Sequence, residues 1–342
     1  MSELFAGKYL LKERLGVGGM AEVWLAELKG PQGFSRQLVI KRILPHLADD
    51  ENFITMFEDE ARLAARLSHP HAVRVEEFAQ AGDVWYLAME YLDGGDLRHL
   101  TRAALTQGES VPFEVLAQMG GDVASALHHA HTLKSAHGQP LNMIHRDVSP
   151  HNILVTTQGQ AKLVDFGIAR AESNQVKTRT GMVKGKSGYM SPEQALGRTL
   201  DGRSDQFALA IVLYETAAQA RIFQGENDLA IMRKVVACEI PPLISINPNA
   251  SLEFSEVLEQ ALQRAAEDRF VDCDAFAKAL YDCLDSAGFR GGHQPVAAWV
   301  TRMSSVHGKL AKLPSLDERK ELSGIREEVT KISRSRSAMR PA

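Results

Sequence analysis

The hydrophobic pattern of the chain changes its period near residue 93, and this change constrains the fold more than any other feature. Before it, the runs YLLKERLG, AEVWLAEL and RQLVIKRIL, separated by glycines, have the alternation and composition of short antiparallel strands. After it, apolar residues recur at three- and four-residue steps, which indicates helices with one buried face. The pattern predicts an α+β fold, with a small β-rich lobe joined to a larger, mainly helical lobe across a cleft. The clearest helical stripe consists of Leu116, Met119, Val123, Leu127 and Ala130.

The composition excludes several classes of protein. The 342 residues are 44% hydrophobic and 24% charged, which is typical of a globular chain with a large core. The formal net charge of −4 argues against a nucleic-acid partner, because proteins that bind nucleic acids usually carry a basic surplus. The three cysteines, Cys238, Cys273 and Cys283, have no paired-ligand spacing, so we expect reduced thiols and neither a disulfide framework nor a cysteine zinc site.

The sequence has no segment typical of export or membrane insertion. Its first residues, MSELFAGKYLLKERL, lack the basic-then-apolar layout of a signal peptide. The most apolar run, FALAIVLY at 207–214, is far shorter than the roughly 20 residues that a membrane-spanning helix needs. We therefore expect a cytoplasmic protein. The charged tail at 286–342 ends in the basic, serine-rich SRSRSAMRPA, for which we predict disorder.

A glycine-rich segment, Gly16, Val17, Gly18 and Gly19, lies between the first two strand-like runs. Glycines allow backbone N–H groups to approach phosphate oxygens without interference from a Cβ atom. Ala21 occupies the third glycine position of the G-x-G-x-x-G pattern, and we expect so small a residue to preserve this approach. The segment indicates phosphate binding, with a glycine hairpin that binds no ligand as the alternative.

Lys41 lies in the run LVIK on the same face as Val39, because strand side chains alternate. A lysine on a buried face needs a counter-charge or an anionic ligand, whereas one that extends to the surface needs neither. In the helix predicted at 52–67, Glu60 falls on the apolar side, where carboxylates are usually paired. We therefore predict an ion pair between Lys41 and Glu60. The apolar stripe of this helix consists of Phe53, Met56, Leu63 and Leu67.

Three polar side chains lie in short loops of the helical part. Asp165 ends the strand-like run AKLVDFG, where its carboxylate could hold Mg²⁺ unless the run is a plain Asp-x-Gly turn. Asp147 and Asn152 belong to the run HRDVSPHN. Asp147 could accept the proton of an attacking hydroxyl, and the amide oxygen of Asn152 could bind a metal ion.

In this order and spacing, the motifs resemble the protein-kinase signature set: a glycine loop, a V-I-K lysine, a helix glutamate, H-R-D…N and D-F-G. The resemblance covers residues 8–285, and GKYLLKERLGVGGMAEVW and GYMSPEQA are similar to the bacterial serine/threonine branch of eukaryotic-like kinases. It implies the bilobal protein-kinase fold. The β-rich N-lobe with its helix C would span about 8–90, the mainly helical C-lobe about 93–285, and a tail 286–342.

The resemblance implies ATP and Mg²⁺ as cofactors and assigns roles to individual residues. Lys41 would hold the α- and β-phosphates and pair with Glu60, while Asn152 and Asp165 would bind Mg²⁺. Asp147 would orient the substrate hydroxyl and receive its proton.

The implied nucleotide site also includes the segment that joins the lobes. Met89 occupies the gatekeeper position, and Glu90 and Leu92 would offer backbone hydrogen bonds to adenine. Asp96 would meet the ribose. The complete implied set is Gly16, Val17, Gly18, Gly19, Val23, Lys41, Met89, Glu90, Leu92 and Asp96.

Other residues are implied to support or regulate the site. Glu193 would pair with Arg269, and Asp205 would anchor the HRD loop. Arg146 implies regulation, because in such kinases this arginine binds a phosphate on the activation loop, here 168–190. The candidate phosphorylation sites, with unmodified loop threonines as the alternative, are Thr178 and Thr180.

The sequence departs from the family pattern at Ser149, where serine/threonine kinases have a lysine that contacts the transferred phosphate. Lys186 stands where the family has a threonine, so a small hydroxyl and a lysine have exchanged places. We hypothesise that Lys186 extends back toward Asp147 and supplies the missing positive charge, since lysine binds phosphate as a point charge. The alternative is that Lys186 faces solvent or an acidic substrate.

The expected function is ATP-dependent phosphorylation of serine and threonine hydroxyls in protein substrates, with activation-loop autophosphorylation, in bacterial-type signalling. No nucleic acid or membrane span is expected, and a homodimer for trans-autophosphorylation is left open. The main alternative is a pseudokinase that acts as a nucleotide-binding scaffold, for which Ser149 and Ala21 are the only support. A small-molecule phosphotransferase disagrees with the SPE segment and Arg269. Tyrosine specificity is a further alternative, because Ser149 removes one serine/threonine hallmark, but GYMSPE lacks the proline-rich entry expected of it.

Overall fold

The computed structural model describes residues 4–18, 20–48, 50–135, 137–166, 187–289 and 292–304. Within these ranges the chain forms the two lobes that the change of period predicts. A β-rich lobe precedes a larger helical lobe, and the two meet at the strand-to-loop segment after residue 90.

The N-terminal lobe is a five-stranded antiparallel sheet with strand order β1-β2-β3-β5-β4. Val23 pairs with Lys41, and Lys41 pairs with Leu87, so the predicted lysine lies on a central strand. One face of the sheet packs around Ile40, and the other packs around Met89 and helix α1. The elements of this lobe are β1 (Tyr9–Val17), β2 (Ala21–Lys29), β3 (Ser35–Ile43), α1 (Glu51–Ala64), β4 (Val75–Ala81) and β5 (Val84–Glu90).

Helix α1 buries a different stripe from the predicted one. Phe57, Ala61 and Ala64 are its buried residues, at steps of four and three. The predicted stripe lies beside this face or beyond the helix: three of its members are half-buried, and Leu67 is buried but follows the last turn. The prediction is thus confirmed in part: Phe53 and Leu63 pack against core clusters and Leu67 belongs to one, but the fully buried positions of the helix include the small residues Ala61 and Ala64, which the prediction left out. The half-buried members are Phe53, Met56 and Leu63.

The C-terminal lobe is built around α3 and α5, and a small three-stranded sheet of order β6-β7-β8 borders the cleft. Nearly every residue of α5 is buried, which explains why FALAIVLY is apolar on all sides of the helix. The predicted stripe of α3 is confirmed, since all five of its members are buried. The elements are β6 (Gly94–Asp96), α2 (Leu97–Thr106), α3 (Phe113–His131), β7 (Ile153–Thr156), β8 (Ala161–Leu163), α4 (Pro192–Ala195), α5 (Gly202–Ala218), α6 (Asp228–Ala237), α7 (Leu243–Ile246), α8 (Leu252–Ala261), α9 (Cys273–Ser286) and α10 (Gln294–Ser304).

Packing continues after the kinase-like segment. Helix α10 contacts α2, α3, β6 and β7, and it inserts the indole of Trp299 into the core of the C-terminal lobe. Among the helices of the described ranges, none has the length and apolar character needed to cross a membrane.

Candidate active site

A lysine and an aspartate from different lobes meet in the cleft. Lys41 extends from β3, and its Nζ lies 2.8 Å from Oδ1 of Asp165, which follows β8. The lysine side chain is 15% exposed and the aspartate 45%, so the pair lies at the cleft wall and leaves part of the carboxylate accessible. The side chain of Glu60 is outside the described part of the chain, and its pairing with Lys41 stays a prediction.

Asp165 is held by the residues on either side of it. Its backbone has a φ of 54°, in the left-handed region that few non-glycine residues adopt. Phe166 is buried, and its ring lies 4.6 Å from the ring of His145. Since β8 ends immediately before this segment, strand pairing and the buried phenylalanine together fix where the carboxylate points.

Asp205, at the start of α5, anchors the HRD loop as predicted. Its carboxylate accepts the backbone N–H groups of His145 at 2.7 Å and Arg146 at 2.8 Å. His131 Nε2 contacts the same carboxylate at 2.8 Å. Burial opposes ionisation of Asp205, but the hydrogen bonds and charge of its partners outweigh this and hold its pKa below the ordinary range. Burial also lowers the pKa of His145.

Asp147 and Asn152 are in direct contact. Asn152 Nδ2 donates to the backbone oxygen of Asp147 at 2.8 Å and to Oδ2 of its carboxylate at 3.1 Å. Because Nδ2 of Asn152 is bonded to Asp147, the side-chain oxygen of Asn152 points away from Asp147. This oxygen could therefore serve as a metal ligand. The five-residue separation of these groups in the sequence is therefore closed by a turn, which places the carboxylate of Asp147 beside the amide of Asn152.

The residues present fit a nucleotide with a bound metal ion. Asp165 and Asn152 contribute the carboxylate and carbonyl oxygens that Mg²⁺ prefers. At Gly16 nothing lies within 4 Å of where a Cβ atom would stand, and at Gly18 only the Ala21 oxygen does, at 3.5 Å. Packing of the hairpin does not demand either glycine, and the space leaves room for a close approach of phosphate to the backbone. Gly19 is outside the described residues.

The predicted adenine-binding residues lie on one strand and its exit. Met89 is buried in the cluster between the sheet and α1, and Leu92 is half-buried against the same cluster. The Glu90 side chain points away from this role and accepts hydrogen bonds from Lys162 Nζ at 2.7 Å and the Arg74 N–H at 2.9 Å. The backbone N–H of Glu90 donates to the Arg74 oxygen at 3.0 Å, which leaves the backbone oxygen of Glu90 as the group that could contact an adenine.

At the glycine hairpin, Val17 is exposed and Val23 is half-buried.

Asp96 has a structural role that the sequence analysis missed. It is the N-cap of α2, and its carboxylate accepts the His99 N–H at 2.9 Å and contacts His99 Nδ1 at 2.5 Å. An aspartate directly before a helical pattern is the signal that would have found this cap.

On the substrate side, the predicted pair of Glu193 and Arg269 is confirmed. The guanidinium donates two parallel hydrogen bonds to the carboxylate, at 2.8 and 2.9 Å. Burial opposes ionisation of Glu193, but Arg269 and the Ser204 hydroxyl outweigh it and lower its pKa to about 2. The pair joins the SPE segment to the loop before α9.

Of the two residues in the exchange between Ser149 and Lys186, the structure describes only Ser149. Ser149 is buried, and among the described residues its hydroxyl has no hydrogen-bond partner. Ser187 donates to Asp228 Oδ1 at 2.5 Å, which ties the end of the activation segment to α6. Lys186 is outside the described residues, as are both candidate phosphorylation sites, Thr178 and Thr180.

A cavity of about 310 Å³ lies beside the HRD loop rather than between the lobes. Pro150 of the loop, Tyr189 of the SPE segment and Glu215 of α5 all line it. Burial raises the pKa of Glu215 to about 7, although the charge of Arg221 opposes the rise. A glutamate inside the otherwise apolar run of α5 is the sequence signal that could have indicated this cavity.

Comparison with known proteins agrees with this geometry. A model of the protein kinase domain matches residues 9–280. The chain is 45% identical over 294 residues to Tyrosine-protein kinase MasK of Myxococcus xanthus, with 86% of this chain and 46% of that protein covered. It is 34% identical over 280 residues to Serine/threonine-protein kinase PrkC of Bacillus subtilis, with 81% and 41% covered. The chain thus spans less than half the length of these curated relatives.

A solved structure supports the same assignment. The PknI kinase domain of Mycobacterium tuberculosis is 30% identical with a TM-score of 0.60, and the match covers 82% of this chain and 97% of that domain. The family model, the relatives and the two-lobed architecture agree, and the chain belongs to the protein kinase family.

Proposed function

We propose that this chain is an active protein kinase, which transfers the γ-phosphoryl group of ATP to serine and threonine hydroxyls of protein substrates. The observation that carries the proposal is the contact of Lys41 with Asp165 across the cleft, next to the bonded pair of Asp147 and Asn152. A pseudokinase that only binds nucleotide would not need a carboxylate such as that of Asp147 beside the proposed metal ligands Asn152 and Asp165.

Two pairs of residues would hold the nucleotide and metal. Lys41 and Glu60 would bind and orient the α- and β-phosphates, and Asn152 and Asp165 would supply oxygen ligands to Mg²⁺. The bound MgATP supplies the phosphoryl group and the metal charge that stabilises its transfer. The backbone of the segment from Met89 to Leu92 would bind the adenine.

Asp147 would orient the acceptor hydroxyl and take its proton. Asn152 holds one of its carboxylate oxygens, and the loop that carries it is fixed by the two backbone bonds to Asp205. Such preorganisation matters because phosphoryl transfer depends mainly on positioning and electrostatics.

The proposal also covers which hydroxyl-bearing residue of the substrate receives the phosphoryl group and how the kinase is regulated. The relatives' names differ: PrkC is named a serine/threonine kinase and MasK a tyrosine kinase. The bacterial serine/threonine motifs favour the first, and phosphoamino-acid analysis of the product decides between them. For regulation, we expect autophosphorylation of Thr178 or Thr180 in a transient homodimer, with Arg146 binding the new phosphate. The proposed location is the cytoplasm.

Replacing the base tests the activity. We expect Asp147→Asn to lower phosphate transfer from labelled ATP to a generic protein substrate by about 10²–10⁴-fold, the usual contribution of a general base. ATP binding, measured by calorimetry, should change little, since the lysine and the metal ligands stay.

The control is Asp83→Asn, at an exposed turn between β4 and β5. Equal transfer by Asp147→Asn and the control would contradict the proposal. So would a wild-type chain that binds ATP but never transfers phosphate, which is the behaviour of a pseudokinase.

A further inference from the structure

Two histidines and an aspartate from distant parts of the chain meet on the C-terminal lobe. His71 follows α1, Asp122 lies in α3, and His293 immediately precedes α10. One ligand atom from each lies within 4.8 Å of the other two. Asp122 Oδ2 is 2.9 Å from His293 Nε2 and 3.5 Å from His71 Nδ1. We call these three residues the His–Asp–His cluster.

These separations suit a transition-metal ion. Zinc binds imidazole nitrogen and carboxylate oxygen at about 2.0–2.1 Å, so two of its tetrahedral ligands lie about 3.3 Å apart. The two measured distances in the cluster lie on either side of this value. The third separation, between the two histidine nitrogens, is within 4.8 Å, so rotation of the imidazole side chains would bring the three atoms around one ion.

The aspartate is held as a metal-binding carboxylate usually is. Asp122 is 1% exposed, and its Oδ1 accepts hydrogen bonds from Gln118 Nε2 at 2.9 Å and the Tyr281 hydroxyl at 3.0 Å. These donors orient the carboxylate, and its other oxygen faces the two histidines. Hydrogen bonds of this kind to the outer oxygen are a common feature of protein metal sites.

Two more imidazoles lie near the cluster: the His69 ring is 5.6 Å from the His71 ring and 5.3 Å from the His129 ring.

We propose that His71, Asp122 and His293 bind a divalent transition-metal ion of the zinc type, with a fourth position open to solvent beside His293, whose side chain is 36% exposed. His71 Nδ1 lies 3.0 Å from the Ala161 oxygen, so His71 exchanges this contact for the metal on binding. The site is separate from the cleft residues and does not rest on the proposed kinase activity.

The ion would fasten helix α10 to the lobe. The His293 oxygen accepts the Ala297 N–H at 2.9 Å and so begins the helix. At Gly159, in the β7–β8 turn, a Cβ atom would stand only 2.0 Å from that same oxygen. The backbone around His293 is therefore seated against the lobe, which places its imidazole ready for the metal.

Zinc binding to the full chain tests the proposal. After treatment with chelator, calorimetry with Zn²⁺ should show one site per chain. His293→Gln and His71→Gln should each weaken it by at least about tenfold, since even residues that only orient a ligand contribute 10–100-fold. Exposed His46→Gln is the matched control, with the affinity of the wild type expected. Melting temperatures in chelator verify that the variants are folded.

Cobalt gives a second readout that needs no variant. Co²⁺ in the wild-type chain should give the intense visible bands of a four-coordinate ion without a thiolate charge-transfer band. The proposal is overturned if no site is found, if both cluster variants bind like the control, or if the spectrum shows sulfur ligands. If no site is found, the three residues only form hydrogen bonds that attach the start of α10 to the lobe.

Discussion

Asp205 shows how one side chain can organise the loop that carries the proposed catalytic residue. Both of its oxygens accept backbone N–H groups of the HRD loop, from His145 and Arg146. Arg146 has a φ of 64°. This backbone conformation costs free energy and persists only where the surrounding structure holds it. The two hydrogen bonds hold this conformation, and Asp147, the proposed base, follows immediately. A residue outside the motif thus decides the geometry of the motif.

The lysine proposed to replace the missing catalytic-loop charge gives a prediction at the same scale. We expect Lys186→Ala to slow phosphoryl transfer at saturating ATP by about tenfold or more, because it removes a positive charge from the developing transition state. Steady-state kinetics with varied ATP and substrate measure this. Lys184→Ala, two residues earlier, is the control. A change confined to KM for the protein substrate would show that Lys186 only binds substrate.

At the scale of elements, buried ion pairs join segments that no strand or helix connects. Arg269 donates to Glu193 and also to the backbone oxygens of Gln263, Arg203 and Arg264. The guanidinium is fully buried, so each of these acceptors offsets part of the cost of removing its charge from water. The pair therefore connects the SPE helix α4 to the region before α9.

Acid should weaken this connection. Glu193 has a pKa of about 2 in the folded chain against an ordinary 4.5, so its ion pair stabilises the fold above about pH 4.5. That stability, about 3 kcal/mol from the shift, is lost as the pH falls toward 2. Urea unfolding of the wild type and Glu193→Gln at pH 7, 5, 4 and 3 measures it.

The variant is expected to be less stable at pH 7, and the difference should shrink below about pH 4.5, because the carboxylate of the unfolded wild-type chain binds a proton there while the folded one is still ionised. Asn227→Ala, at the N-cap of α6, offers a comparison whose effect should not follow this pH course, because the uncharged Asn227 side chain accepts the Ala230 N–H. A difference between wild type and Glu193→Gln that stays constant down to pH 3 would contradict the prediction.

For the whole molecule, the core does not end where the kinase family model ends. That model matches up to residue 280, yet helix α10 buries four apolar side chains in the same core. Removing this helix would expose apolar surface on the C-terminal lobe. The buried residues of α10 are Val296, Trp299, Val300 and Met303.

Trp299 tests how much this helix stabilises the molecule. Its indole is among the largest fully buried side chains, so we expect Trp299→Ala to lower the free energy of unfolding by about 3–5 kcal/mol. Leu252→Ala, at a position 54% exposed on α8, should change it by less than about 0.5 kcal/mol. Chemical unfolding of both variants gives the comparison. Equal stability of the two would mean that α10 does not contribute to the folded core.

Much of the fold could be predicted because periodicity is local. The strands of the N-terminal sheet and the buried stripe of α3 were correct, since alternation and helical repeats are read from neighbouring residues. The stripe of α1 was correct in part, because its large residues pack on the core, but a count of large residues ignores the fully buried Ala61 and Ala64. The cap at Asp96 was missed for a related reason, as a family role was assigned before its position ahead of α2 was considered.

The sequence by itself determined the kinds of residues and their order: a glycine hairpin, a strand lysine, an acid and an amide in one loop, and an acid after a strand. Only the tertiary structure decided which of them touch. Lys41 meets Asp165 across 124 positions, and His293 meets Asp122 across 171. Local pattern fixes which face a side chain takes, but the distance between remote side chains depends on how the lobes and helices pack, which no short segment encodes.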